Sequence, residues 1–268
     1  MAPSSLLHEL RNQSPLIHCI TNIVVANFQA NGLLALGASP IMADSIEEAA
    51  EVSALSSSTL LNIGTLNANT VESMIAAGGS ANTYGRPVVL DPVGAGATAF
   101  RKRTVTRLLD ELDIALIRGN AGEIAAIAGV EWTAKGVDAG NGSANIAAAA
   151  MDVANRHRCL VAITGETDIV TDGDKLIRVS GGHPIMTRIT GMGCLLSAVT
   201  AAFLAVNVHT PIDAVAYSLA FYKKAGEVAA EHAAGPGDFA VHFLNALGGI
   251  DDEAIDGGQF FIEEGVKE

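Results

Sequence analysis

The run Thr190-Gly191-Met192-Gly193-Cys194 stands directly before an apolar stretch, Leu195 to Val206, that reads as a buried helix. Glycines at a helix start let backbone approach a ligand closely. The unpaired amides of the first turn, at the positive end of the helix dipole, form an anion site for which phosphate is the natural occupant. Arg188 adds positive charge beside it. Cys194 falls in the first turn, where the dipole is expected to favour thiolate over a thiol of pKa about 8.5 and so let it accept a hydroxyl proton. An ordinary glycine-containing helix start has the same appearance, so this motif alone does not establish a site.

Further chemistry stands at the ends of short apolar runs. Asp91 closes PVVLD, just where Pro92 and two glycines turn the chain, a place where a carboxylate binds Mg²⁺, usually through water. Arg118 closes IALIR, where a guanidinium can clamp phosphate oxygens in a fork that lysine cannot match. Thr164 closes LVAIT, with its hydroxyl placed to meet a nucleotide. Asn120 and Glu123 have capping-box spacing, which accounts for that pair without any function. Cys19 and Cys159 read as inert buried thiols, and three widely separated cysteines suit neither a disulfide framework nor a CxxC metal site.

The elements that must hold these residues follow from the pattern around them. LIHCIT, LLNIGT, PVVLDPVG, IALIRGN and LVAITGETD recur between longer helical stretches, which is α/β alternation. Their continuous apolarity predicts parallel strands covered by helices on both faces, with the polar residues gathered at one edge of the sheet. TDIVTDGDKLIRVSGG differs: two β-like runs flank Asp172-Gly173-Asp174 and predict an antiparallel hairpin at a sheet edge. After Thr190 the chain reads as helix, Leu195 to Val206 and then Ala214 to Ala234, broken at Thr210-Pro211.

At 268 residues a single domain spanning 1–268 is expected, with the acidic stretch 251–268 loosely ordered. Apolar residues make up 49% and aromatics only 4%, so the core must be built from small aliphatics on closely packed helices. A net charge of -13 argues against nucleic acid and anionic membrane surfaces as partners. The N-terminus shows no signal-peptide pattern, and the most apolar run is too short for a span of roughly 20 residues, so a cytoplasmic protein is expected. No G-x-x-x-x-G-K-[ST] occurs, which excludes a Walker loop, and Gly191-Met192-Gly193 lacks the third glycine of a dinucleotide fingerprint.

HCITN, DPVGAG, RGNAGE, AITGETD, GHP with TGMGC, and GPGDF occur in the order seen in hydroxyethylthiazole kinases, and from about Ser14 to Gly249 the chain resembles that family. The resemblance implies an α/β ribokinase-like three-layer sandwich, with a mostly parallel central sheet and helices on both faces. It implies ATP-dependent phosphorylation of the primary hydroxyl of 4-methyl-5-(2-hydroxyethyl)thiazole, in thiamine biosynthesis or salvage. Carried over by position, the thiazole would lie near Asn22, Val24, Met42 and Gly191, and ATP near Arg118 and Thr164. Asp91 and Glu123 would serve Mg²⁺, and Cys194 would act on the alcohol. A homotrimer with the substrate pocket between subunits is implied as well. Each assignment has a plainer alternative: Met42 and Val24 as core residues, Asn22 and Thr164 as partners of strand-end backbone. Three positions depart from the usual pattern, Gly122 and Asp238 in place of serine and Arg188 in place of lysine. Rival readings are a hydroxymethylpyrimidine kinase, which would carry aspartate or a different cysteine context near the anion site, a dehydratase of hydrated nicotinamide nucleotides, which would want aspartate in the TG-x-G motif, and a nucleotide-sensing module without turnover.

Overall fold

The computed structural model describes residues 6–130, 141–255 and 260–263. In chain order the elements are α1 (Leu6–Gln13), β1 (Leu16–Ile20), α2 (Ala26–Leu36), β2 (Ser39–Ile41), α3 (Ala49–Leu55), β3 (Ser58–Asn62), α4 (Ala68–Thr83) and β4 (Val88–Asp91). They continue with α5 (Ala99–Glu111), β5 (Leu116–Asn120), α6 (Ala121–Ala128), α7 (Asn141–His157), β6 (Leu160–Thr164), β7 (Asp168–Thr171) and β8 (Leu176–Val179). A 3-10 turn (Pro184–Arg188), α8 (Met192–Val206), α9 (Pro211–His232), α10 (Pro236–Gly249) and β9 (Phe260–Glu263) complete them.

The strands form one sheet in the order β2-β1-β3-β4-β5-β6-β7-β8-β9. Pairings from β2 through β6 are parallel, and those of β6 with β7, β7 with β8 and β8 with β9 are antiparallel. Parallel strands need crossover connections, and the intervening helices supply them and cover both faces. One core gathers residues of α1, α2, α8, α9 and α10, and the other those of α3 to α7. Both are rich in alanine, as the composition requires. In α8, Ala198, Ala201 and Ala202 are fully buried beside Leu195 and Phe203.

Three details differ from the sequence reading. β2 is a strand of three residues containing Pro40, too short and too polar at its start to show as an apolar run. The β7–β8 hairpin is present, but the edge position belongs to β9, which pairs Phe260–Glu263 with β8. The acidic stretch expected to be loosely ordered therefore contributes a strand. Asp252 in it accepts hydrogen bonds from the amides of Leu7 and His8 and from the Tyr217 hydroxyl, tying it to α1 and α9. Residues 256–259 and 264–268 of that stretch lie outside the described residues. Pro211 begins α9 at its first turn, where its missing N–H costs nothing.

Candidate active site

The parallel strands place Asn62, Asp91, Arg118 and Thr164 at or near their carboxyl ends, and α8 starts over that edge. Asn62 and Asp91 are register partners on β3 and β4, and Asn120 and Thr164 on β5 and β6. Asp91 is 1% exposed. Its Oδ2 accepts from Asn62 Nδ2 at 2.7 Å and from Ser197 Oγ at 2.9 Å, and the Arg118 guanidinium lies 3.7 Å away. Burial pushes the Asp91 carboxyl up to about 6, opposed by Arg118 and reinforced by the nearby Glu123 carboxylate. Arg118 donates from Nη2 to the Thr164 hydroxyl.

The Arg118 guanidinium lies against the first turn of α8. A Cβ on Gly193 would fall 3.0 Å from Nη1 and 3.1 Å from Nη2, tighter than side chains ordinarily pack, so glycine here lets the cation sit close against the helix start. Gly191, the N-cap, has φ +91°, and a Cβ there would meet Val25 at 2.6 Å. Both glycines of the motif thus have a structural requirement, and together they put a cation and free helix amides in one place.

Cys194 accepts a hydrogen bond from Asn22 Nδ2 at 3.4 Å, and Asn22 Nδ2 also donates to Asn62 Oδ1 at 3.0 Å. Burial, followed by the Asp91 carboxylate, pushes the Cys194 thiol up to about 11. The expected lowering by the helix dipole is overturned: desolvation and a neighbouring anion outweigh it, and the sulfur is a thiol at neutral pH. Cys19 and Cys159 are buried with thiols pushed up to about 12, as inert residues should be.

The network brings together Asn22, Asp91, Arg118, Thr164, Gly191 and Cys194. Val24 and Met42 follow the paired strands β1 and β2. Val24 is exposed in the turn after β1, and Met42 is partly buried after β2, which pairs with β1. Glu123 forms the capping box with Asn120 and also accepts from the Gly94 amide at 2.9 Å, so it braces the glycine turn that follows Asp91. Arg188 is exposed, and Asp238 in the first turn of α10 accepts from the Ala234 amide.

Four buried side-chain atoms among the described residues lack a hydrogen-bond partner: Thr21 Oγ1, Gln29 Oε1, Asp91 Oδ1 and Arg118 Nε. Two belong to this network, and Gln29 donates to the Cys194 carbonyl. Buried orphans gathered at one edge mark a place where a ligand completes the bonding. Asp91 Oδ1 fits a cation donor. No three histidine, cysteine, aspartate or glutamate side chains cluster as a metal cage among the described residues.

Sequence reasoning missed several residues that build the edge. Arg101 in α5 donates to the carbonyls of Ile63, Val93 and Gly64, stapling the turns after β3 and β4. Lys223 in α9 is 6% exposed and donates to the carbonyls of Gly165, Glu166 and Gly181 beside the Asp168 carboxylate at 3.3 Å. Asn62 and Ser197, both on Asp91, were also missed. An asparagine closing LLN in the position that aspartate holds in VVLD was the one available signal.

Known proteins resemble this chain over almost all of it. The model of the hydroxyethylthiazole kinase family matches residues 7–253. A hydroxyethylthiazole kinase from an Exiguobacterium species is 54% identical over 240 residues, covering 90% of this chain and 91% of the relative. The solved hydroxyethylthiazole kinase protein of Pyrococcus horikoshii is 38% identical, with a TM-score of 0.88 and coverage of 97% and 98% of the two chains. A ribokinase-like superfamily protein from Enterococcus faecalis, 11% identical, has a TM-score of 0.63 with coverage of 92% and 94%, a likeness of fold alone. With the family matched from α1 to the turn after α10, and its motifs found at the strand ends that build this site, the chain belongs to the hydroxyethylthiazole kinase family.

Proposed function

We propose that this edge transfers the γ-phosphoryl group of ATP to the primary hydroxyl of 4-methyl-5-(2-hydroxyethyl)thiazole, with the alcohol beside Cys194 and the phosphates beside Arg118. The observation that carries the reading is the guanidinium seated on Gly193. It places fixed positive charge and the α8 amides together where charge develops on the moving group. The alcohol oxygen bonds to the γ-phosphorus as the bond to the bridging oxygen breaks, the hydroxyl proton passes late to an oxygen of the transferred phosphoryl group, and ADP leaves. Such a loose transition state needs little activation of the nucleophile. Cys194, a neutral thiol, therefore orients the alcohol, and Asn22 holds the sulfur in place by donating to it. Arg118 and Thr164 bind the phosphates.

Asp91 and, through water, Glu123 would hold Mg²⁺, which when bound neutralises phosphate charge. Asn22, Val24, Met42 and Gly191 line the thiazole side, and the exposure of Val24 supports a pocket completed by a second subunit of a homotrimer. Among the described residues no helix is long and apolar enough to cross a membrane. We read the chain as a single-domain cytoplasmic enzyme of thiamine synthesis or salvage. ADP release is to be measured with hydroxyethylthiazole, with hydroxymethylpyrimidine and with no acceptor. The reading requires the thiazole to give by far the highest kcat/KM. A preference for the pyrimidine, or acceptor-independent turnover, would remove it.

A further inference from the structure

Asn62 uses three of the four hydrogen-bonding directions of its amide on the site. The Gly64 amide donates to its Oδ1 at 2.9 Å, which fixes which end is oxygen, because an N–H can only donate. Nδ2 must then face Asp91, as it does at 2.7 Å, and Oδ1 must take the Asn22 amide hydrogen at 3.0 Å. Asn22 in turn donates to the Cys194 sulfur, so that sulfur's own hydrogen is left for a ligand. The result is one directed chain from Cys194 through Asn22 and Asn62 to Asp91, closed by Ser197 on the far side. Asn62 and Asp91 are each 1% exposed and Asn22 is 4% exposed, so water does not substitute for these links.

We propose that Asn62 is a positioning residue that sets the distance and angle between the acceptor alcohol and the phosphoryl group. It does so by locking the residue that holds Cys194 to the carboxylate on the phosphate side. The inference rests on the placement of the alcohol beside Cys194 and of the phosphates beside Asp91 and Arg118. Asn62 touches neither substrate. Its effect is on alignment, and a misplacement of about 1 Å can cost on the order of 100-fold in rate.

The test compares parent, Asn62→Ala and Asn62→Asp enzymes, measuring ADP and phosphorylated thiazole in the same reactions. The parent is measured first. If it forms no thiazole phosphate, the proposed function fails, which is a different result from failure of this inference. The expected outcome for Asn62→Ala is a loss of transfer of about 10- to 100-fold, with more ADP released than thiazole phosphorylated, because a misaligned alcohol cedes the phosphoryl group to water. Asn62→Asp keeps the size and the acceptor for Gly64 and Asn22 but, assayed at alkaline pH where both carboxyls are ionised, cannot donate to Asp91. It serves where the alanine variant does not fold, and it too should release excess ADP. Asn22→Ala costs transfer on its own account, since Asn22 faces the thiazole, so coupling is read from the ratio alone: added to either variant it should leave the ratio of ADP to product where the single substitution put it. A ratio of ADP to product that stays at parity in the folded Asn62 variants would overturn the assignment.

Discussion

At the scale of single residues, Cys194 shows how environment overrides position. A first-turn cysteine suggests a thiolate, yet burial and the Asp91 charge push its thiol up to about 11. The account therefore expects Cys194→Ala to lower kcat by about 10-fold, near the mild end for a lost polar contact to a reacting group, with the KM for ATP little changed. The pH dependence of kcat from 6 to 9 should be the same in both enzymes, because the thiol does not titrate there. A rise of kcat with pH in the parent that the alanine variant lacks would restore the proton-acceptor role. Asp91, Arg118, Thr164 and Cys194 were legible because each ends an apolar run or opens a helix. Asn62 carries the same signal, but its use depends on a register between β3 and β4 that only the fold displays.

At the scale of elements, the strands were legible because buried parallel strands read as unbroken apolar runs, and β2 and β9 were not, being short and set in polar or acidic context. Lys223 was illegible for another reason. Its partners on the turn after β6 lie 57 and 58 residues away in sequence, and nothing local in α9 announces them. Its ammonium holds the backbone next to Thr164, and the Asp168 carboxylate beside it accepts from the Gly165 amide. Lys223→Met should lower Tm strongly, by the equivalent of about 3–5 kcal/mol expected for one partner of a buried ion pair, and raise the KM for ATP more than that for the thiazole. Equal changes in both KM values would make Lys223 a purely structural residue.

Asp168 adds a pH signature to the same element. Burial raises its carboxyl from 3.8 to about 6, the Lys223 ammonium opposing the shift, so the folded state binds the proton more tightly than the unfolded. Its contribution to stability is fullest below the ordinary carboxylate range and falls as pH rises from about 4 to about 6. Tm measured across that window should fall less steeply in Asp168→Asn than in the parent. Parallel curves would show that the carboxyl does not titrate as its burial requires.

At the scale of the whole molecule, the acceptor side opens on apolar surface. Ile23 is 83% exposed and Val24 65% exposed, immediately after Asn22. Such side chains on a site's rim suit coverage by a second subunit, consistent with the proposed homotrimer. Sedimentation should give a mass near three times 27.5 kDa, and Val24→Asp should shift it toward the single chain while raising the KM for the thiazole at least about tenfold. A monomeric parent with full activity would exclude the shared pocket. The most direct test of the central claim is the stoichiometry of transfer: ATP, Mg²⁺ and hydroxyethylthiazole are incubated with the enzyme, and ADP and phosphorylated thiazole are quantified together. The account predicts equal amounts of the two, rising together with acceptor concentration, and ADP accumulating without phosphorylated thiazole would contradict it.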